Sequence, residues 1–366
     1  MLALMSAFPS IGPVSAEDWP MLSIVAGTST APFRHAIDLA RLFGGQADAW
    51  PDALISETRR HLGGCLNAVE TGLRLATRRD ERMAGAIDAL PDRLVWPMVL
   101  LHPGMIGPGL LHHMRLRAGL SILLRQVGRA GPDADAVDAA TAIDFTDDDD
   151  PQVRDAAVAL ALAEGRWVAA GSEDRPMRPD VPAEQYVELV WMAAAALAAA
   201  MARNGLVSAQ AATDALQRAG QALLAQHDEA QGAIALADRL VRQLGPRADQ
   251  PDHLGQALVQ RRHLLFAALA ARHVRMDTGR LIKALLAGPI GQVAALCHVL
   301  GGSRPDYRHL LLALQPVRPT LTDGRIVELA ADYAALDAAE ADAVVARMRA
   351  PHLLNAGMAL LARHDG

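Results

Sequence analysis

Thirteen histidines, two cysteines and an excess of arginine are the residues in this 366-residue chain best suited to chemistry. Their spacing decides what they can do. His112 and His113 are adjacent, so on a helix their side chains diverge by about 100° and cannot form the one-face pair of i, i+4 metal ligands. His102 lies in the preceding HPG turn, but the chain contains no HExxH and no Cys/His cluster at zinc spacing. These histidines therefore read as surface or capping residues, and no metal or cofactor is expected. Cys65 and Cys297 lie far apart, and the AALCHVL context of Cys297 reads as a core thiol rather than an activated thiolate. No GxSxG elbow or SxxK occurs. GMIGPG, residues 104–109, follows no strand and lacks the Lys-Ser/Thr of a phosphate loop, so it reads as a turn. The acidic run Asp147 to Asp150 lacks the alternating ligands and terminal Glu of a calcium loop and reads as a solvated helix cap. No catalytic residue is assigned.

The arginines offer more. Arg74, Arg78 and Arg82 share one face if a single helix runs from Asn67 to Ile87, with Arg59, Arg60 and Arg79 close in sequence. Guanidinium forks in a stripe can receive an acidic partner or a phosphate-bearing ligand. Glu70, Asp80 and Glu81 dilute the charge, so the same residues also fit a solvated, salt-bridged face. Arg59, Arg60, Arg74, Arg78 and Arg82 are the candidate interaction surface. Lys283 is the single lysine, an imbalance that reads as coding bias.

Helices must position these groups. DTGRLIKALLAG offers an N-cap at Asp277, apolar Leu281, Ile282, Leu285 and Leu286 at helical spacing, and a stop at Gly288. PIGQVAALCHVLGG follows with Pro289 in its first turn and Gly301 and Gly302 at its end. The same grammar returns after Ser303, Thr322 and Asp337. Upstream, Pro182 opens a long helix closed by Asn204 and Gly205, and Ser208 caps the next. Earlier helices are predicted over Ala31 to Phe43, Pro51 to Leu62 and Gly109 to Val127, interrupted by Pro91, Pro97, Pro103 and Pro108. No alternating run ends in a hairpin signal, so essentially no sheet is expected. Trp96 reads as a core anchor at a helix break, and Trp191 as the large knob of a C-terminal core.

Composition sets the outer bounds. With 51% hydrophobic and 21% charged residues the disordered and collagen-like classes are excluded, and the low aromatic content leaves small, helix-favouring side chains to build the core. A net charge of −6 gives no bulk attraction to nucleic acid or anionic membrane. The N-terminal MLALMSAFPSIGPVSAEDWP lacks a basic n-region and is broken by Pro9 and Pro13, so a cytoplasmic location is expected. Leu189 to Ala202, the longest apolar stretch, falls short of the ~20 residues of a membrane span and reads as a buried helix.

DDDDPQVRDAAVALALAEG carries an Asp-Pro-x-Val-Arg helix entry like that of HEAT-type repeats. Together with PAEQYVELVWMAAAALAAAM and HLLFAALAARHVRMDTGRLIKALLAGPIGQVAALCHVLGGSRPDYRHLLLAL, it resembles the alphaproteobacterial proteins grouped as domain of unknown function 2336, over Phe145 to Leu314. The resemblance implies an all-helical, repeat-like bacterial protein and carries no established activity. His273 and Arg275 depart from that family's usual loop.

The expectation is an all-α protein of packed helical hairpins, an irregular HEAT-like array or bundle. It comprises an irregular N-terminal region (1–170), a linker rich in Pro and charge (171–182) and a C-terminal repeat-like domain (183–366). The expected function is a non-enzymatic scaffold that binds another protein. The alternative is a regulatory sensor that takes a small anionic or nucleotide ligand between helices.

Overall fold

The computed structural model describes residues 30–43, 50–128, 144–169 and 171–350, with Leu354. The N-terminal leader expectation falls outside them. By contacts, Leu39–Ala350 form one compact unit.

The described residues form sixteen α-helices and no strand. The first five are α1 (Thr30–Phe43), α2 (Asp52–Thr77), α3 (Glu81–Asp88), α4 (Val95–Leu101) and α5 (Pro108–Leu124). There follow α6 (Pro151–Val168), α7 (Ala183–Arg203), α8 (Ala209–Ala225), α9 (Ala233–Leu244), α10 (Pro251–Val259) and α11 (His263–His273). The last are α12 (Thr278–Ala287), α13 (Ile290–Val299), α14 (Arg304–Leu314), α15 (Asp323–Asp332) and α16 (Ala338–Arg349).

Local chemistry sets these boundaries as the sequence grammar implies. Asp150, Ser208, Asp277, Thr322 and Asp337 each accept a hydrogen bond from a backbone N–H of the first turn, and Ser303 with Asp306 forms a reciprocal capping box. Gly205 and Gly301, just past α7 and α13, take positive φ of 70° and 78°, where a Cβ would be strained.

Packing departs from a regular solenoid, in which each unit touches only its sequence neighbours. The hairpin α7–α8 is sequential, but α6 packs on α9, α13 on α16, and α2 on α5, α7 and α8. Two hydrophobic clusters result. One gathers α6 and the helices from α9 to α16; the other gathers α1, α2, α3, α4, α7 and α8. α5 serves both, with Leu110, Leu111 and Met114 in the second cluster and Leu120 and Leu123 in the first.

The segment 171–182 therefore does not separate two domains. Helices α7 and α8, expected in the C-terminal domain, pack with the N-terminal helices, while α6 packs with the C-terminal ones. The segment is a strap laid across α2. Met177 donates its N–H to Gly64 O at 2.8 Å, and Asn67 Nδ2 donates to Glu173 O at 3.2 Å. Most of its residues are exposed, as its scarcity of apolar side chains implies, but Met177, Asp180 and Val181 are buried, and backbone hydrogen bonds and ion pairs hold the segment in place.

The apolar stretch at 189–202 extends to a 21-residue helix because Glu184, Glu188 and Arg203 join its ends. Among the described residues, α7 alone has the length and hydropathy of a membrane span, and 56% of that window is buried inside the protein.

Candidate functional site

The predicted arginine face does not exist as a stripe. α2 ends at Thr77, and Asp80 caps a new helix by accepting from Arg82 N, so Arg74, Arg78 and Arg82 do not lie along one axis. Arg74 Nε donates to Glu70 Oε1 at 2.9 Å, and its terminal nitrogens donate to Ile87 O and Pro91 O. Arg78 pairs with Asp88 at the surface, and Arg82 is exposed on α3. Arg59 and Arg60 turn the other way, toward the strap.

Beneath the strap lies a polar cluster rooted in α2. Glu57, 4% exposed, accepts from Arg60 Nε at 3.1 Å, lies 2.9 Å from His61 Nε2 and 2.7 Å from Ser121 Oγ, and pairs with Arg125. Burial alone would raise the Glu57 carboxyl, but hydrogen bonds from His61, Arg60 and Ser121 outweigh it and hold the group far below the carboxylate range. Burial drives His61 down to about 3 despite the nearby carboxylate, so its ring is neutral. Arg60 also donates to Trp167 O and to Ala169 O at 3.1 Å, closing the C-terminus of α6 with a guanidinium.

A second cluster joins α5, α6 and the strap. Arg117 and Asp180, each side chain 1% exposed, pair at 2.7 Å. The Arg117 guanidinium stacks on the Trp167 ring with 5.0 Å to the centroid, and Trp167 Nε1 donates to Asp180 Oδ2 at 3.1 Å. Glu173 accepts from Trp96 Nε1 at 3.1 Å and pairs with Arg59 at 2.8 Å. Trp96 is thus the buried anchor that the sequence implied, with a polar partner that it did not.

The close approach of the strap depends on two glycines. A Cβ at Gly63 would lie 2.7 Å from Glu173 O, and one at Gly64 would lie 2.8 Å from the Met177 Cβ. HLGGC in the middle of a helix was the available signal, because each glycine there costs about 1 kcal/mol relative to Ala and needs a packing reason.

Between the strap and the end of α6 opens a pocket of about 200 Å³, lined by Arg60, Arg166, Arg175, Arg178 and Ser172 among others, with no carboxylate in its lining. Arg60 and Arg166 come from α2 and α6, and Arg175 and Arg178 from the strap. Arg166 sits 3.8 Å from Asp180, and its buried Nε has no hydrogen-bond partner. Of the predicted surface residues, only Arg60 reaches this pocket.

A second depression, about 630 Å³, runs between α7 and α8. Its floor is alanine, including Ala194, Ala198 and Ala202, and Trp191, Leu216, Gln217 and Gln221 complete it without a charged group. Trp191 is 36% exposed and leans over Gly220, where a Cβ would lie 2.6 Å from the indole. It is therefore a groove wall and not the core knob expected from sequence. α7 has small residues over most of its surface, so its exposed face could not be told from its buried one.

Buried and half-buried arginines recur as helix C-caps. Arg318 donates to Leu285 O at 2.6 Å, Ala284 O at 2.8 Å and Gly288 O at 2.9 Å at the end of α12, and Arg280 donates to Met348 O, Arg349 O and Ala350 O at the end of α16. A forked donor reaches several carbonyls at once, which an ammonium does less well. Arginine is thereby used structurally here, whatever set its abundance.

The remaining candidates are quiet. Burial pushes the thiols of Cys65 and Cys297 up to about 11. Among the described residues no three His, Cys, Asp or Glu side chains come together as a metal set. His113 is half-buried on α5, and desolvation there holds its ring down to about 3. A scan against protein-family models and searches of curated proteins and of solved structures found no match to this chain.

Proposed function

We propose that this protein is a non-enzymatic helical interaction module that docks an amphipathic helix of a partner protein in the groove between α7 and α8. The observation that carries this is a continuous, uncharged, alanine-floored trough walled by a half-exposed tryptophan. Other exposed large apolar residues, such as Leu101, Leu162 and Val327, do not line it. Alanine at helical spacing lets another helix backbone approach closely, and Trp191 is the residue type that most often dominates binding energy. With no charge in the lining, the occupant must present a neutral apolar stripe and keep its charges for the rim. The resemblance to the domain of unknown function 2336 family agrees with a helical bacterial protein and adds no activity. The same reading places the protein in the cytoplasm, without cofactor, nucleic acid or membrane.

The test is site-specific photo-crosslinking from Gln217, with Val327 as the control position. The expected adduct is one protein joined through Gln217 and not through Val327. A synthetic peptide of the joined segment should then shift Trp191 emission to the blue, and Ala198→Glu should weaken it by roughly tenfold or more. Adducts with a second copy of this chain, partition of the protein onto lipid vesicles, or peptide binding unaffected by Ala198→Glu would each refute the reading.

A further inference from the structure

The pocket under the strap faces a different ligand, and its case is independent of the α7–α8 groove. We infer that it binds a phosphoryl group, either free phosphate or the terminal phosphate of a small monoester, between the strap and the C-terminal end of α6.

Charge is the first argument. Four guanidinium side chains, Arg60, Arg166, Arg175 and Arg178, border one small cavity, and none of its lining residues is acidic. Outside the lining, Glu57 pairs with Arg60 and Arg125, Asp180 pairs with Arg117 and lies 3.8 Å from Arg166, and Glu173 is held by Arg59 and Trp96. Because no carboxylate lines the cavity itself, an anion entering it meets only cationic and neutral side chains.

The donors are the second argument. Arg60 is fully used by Glu57 and by the carbonyls of α6, so its part is a fixed positive wall. Arg166 retains a buried Nε with no partner, and Arg178 reaches the pocket from an exposed strap position. These two supply the forked donors that phosphoryl oxygens match best, and the Ser172 hydroxyl adds a neutral one. Rigidity favours the same conclusion. Met177 is pinned to Gly64, and Asp180 is clamped by Arg117 and Trp167, so the pocket is formed before the ligand arrives.

Size is the third. At about 200 Å³ the cavity is below the ~300–1,000 Å³ of sites that enclose drug-sized ligands. It can hold a tetrahedral oxyanion but must leave any nucleoside or sugar outside. The ligand would join strap residues to α6, and the strap also contacts α2 and α5, so occupancy ties the two hydrophobic clusters together.

The experiment is isothermal titration of the full chain with inorganic phosphate and, separately, with AMP, in a chloride buffer of fixed ionic strength. Saturable binding of phosphate, accompanied by a rise in melting temperature, is the expected result. AMP binding equal to phosphate identifies the phosphoryl group alone as the determinant, and tighter AMP binding identifies a monoester as the preferred source. Arg178→Gln should weaken binding roughly tenfold or more while leaving the ligand-free denaturation midpoint unchanged, since that side chain is exposed. Arg166→Gln should weaken binding to a similar degree, and Arg82→Gln should leave affinity at the wild-type value. No saturable heat with millimolar phosphate, or equal affinity in the Arg178→Gln, Arg166→Gln and wild-type proteins, overturns the inference.

Discussion

Acid should loosen this protein well above the usual carboxylate range, because several of its histidines are buried neutral. His61, His113, His112 and His263 are driven by burial from the ordinary 6.5 down to about 3, about 3, about 4 and about 4. The unfolded chain takes up a proton on each near pH 6.5, and the folded protein does not until pH 4 or below. In that window the unfolded state binds more protons, so stability falls as pH falls. The contribution is complete above 6.5 and exhausted below the folded value. One pH unit below 6.5, each ring costs between about 1 and 2 kcal/mol, and the four together about 6. Glu164 opposes this. Burial raises it to about 7, so the folded protein holds that proton while the unfolded chain, near 4.5, has released it. This offsets about 2 kcal/mol at pH 5.5, leaving a net loss of about 4. Glu57, held low in the folded state, adds to the loss only below its ordinary value of 4.5. Urea denaturation at pH 7.5, 6.5 and 5.5 measures the effect. His113→Leu isolates it, because the buried Nε2 of His113 has no hydrogen-bond partner to lose. That variant should destabilise by about 1 kcal/mol less than wild type between pH 7.5 and 5.5. Equal pH dependence in the two proteins would show that His113 is not buried neutral and would refute the reasoning.

Other consequences are as specific. Asp180→Asn leaves Arg117 charged and buried without its counter-ion, and should cost about 3–5 kcal/mol in chemical denaturation. Gly64→Ala forces a methyl group against Met177 and should cost about 1–3 kcal/mol, with the strap amide of Met177 exchanging faster with deuterium. Arg318→Met removes the donors for three carbonyls at the end of α12 and should cost at least about 2 kcal/mol, whereas Arg318→Lys should recover part of that.

Much of the fold was legible because helix ends are local chemistry. Asp277, Ser303, Thr322 and Asp337 sit next to the N–H groups they cap, so the C-terminal helices could be drawn from sequence alone. The break between α2 and α3 was nearly legible for the same reason. Asp80 is a good cap, but it was weighed as a diluting charge, and the imagined arginine stripe depended on that choice. The pairing of helices was not legible. Alanine-rich surfaces such as that of α7 look alike on every side, so the sequence cannot say that α7 joins α2 while α6 joins α9. Nor could composition identify the strap, since a segment rich in arginine, aspartate and proline resembles a solvated linker until its charges find partners. Most of those partners come from α2, α4 and α5, far away in sequence, and only tertiary packing brings them within hydrogen-bond distance. Sequence alone determined that this chain would be helical and where most of its C-terminal helices would begin. Tertiary structure decided which arginines would be spent on carbonyls and carboxylates, and which would remain to face a pocket, because desolvation and pairing depend on three-dimensional neighbours.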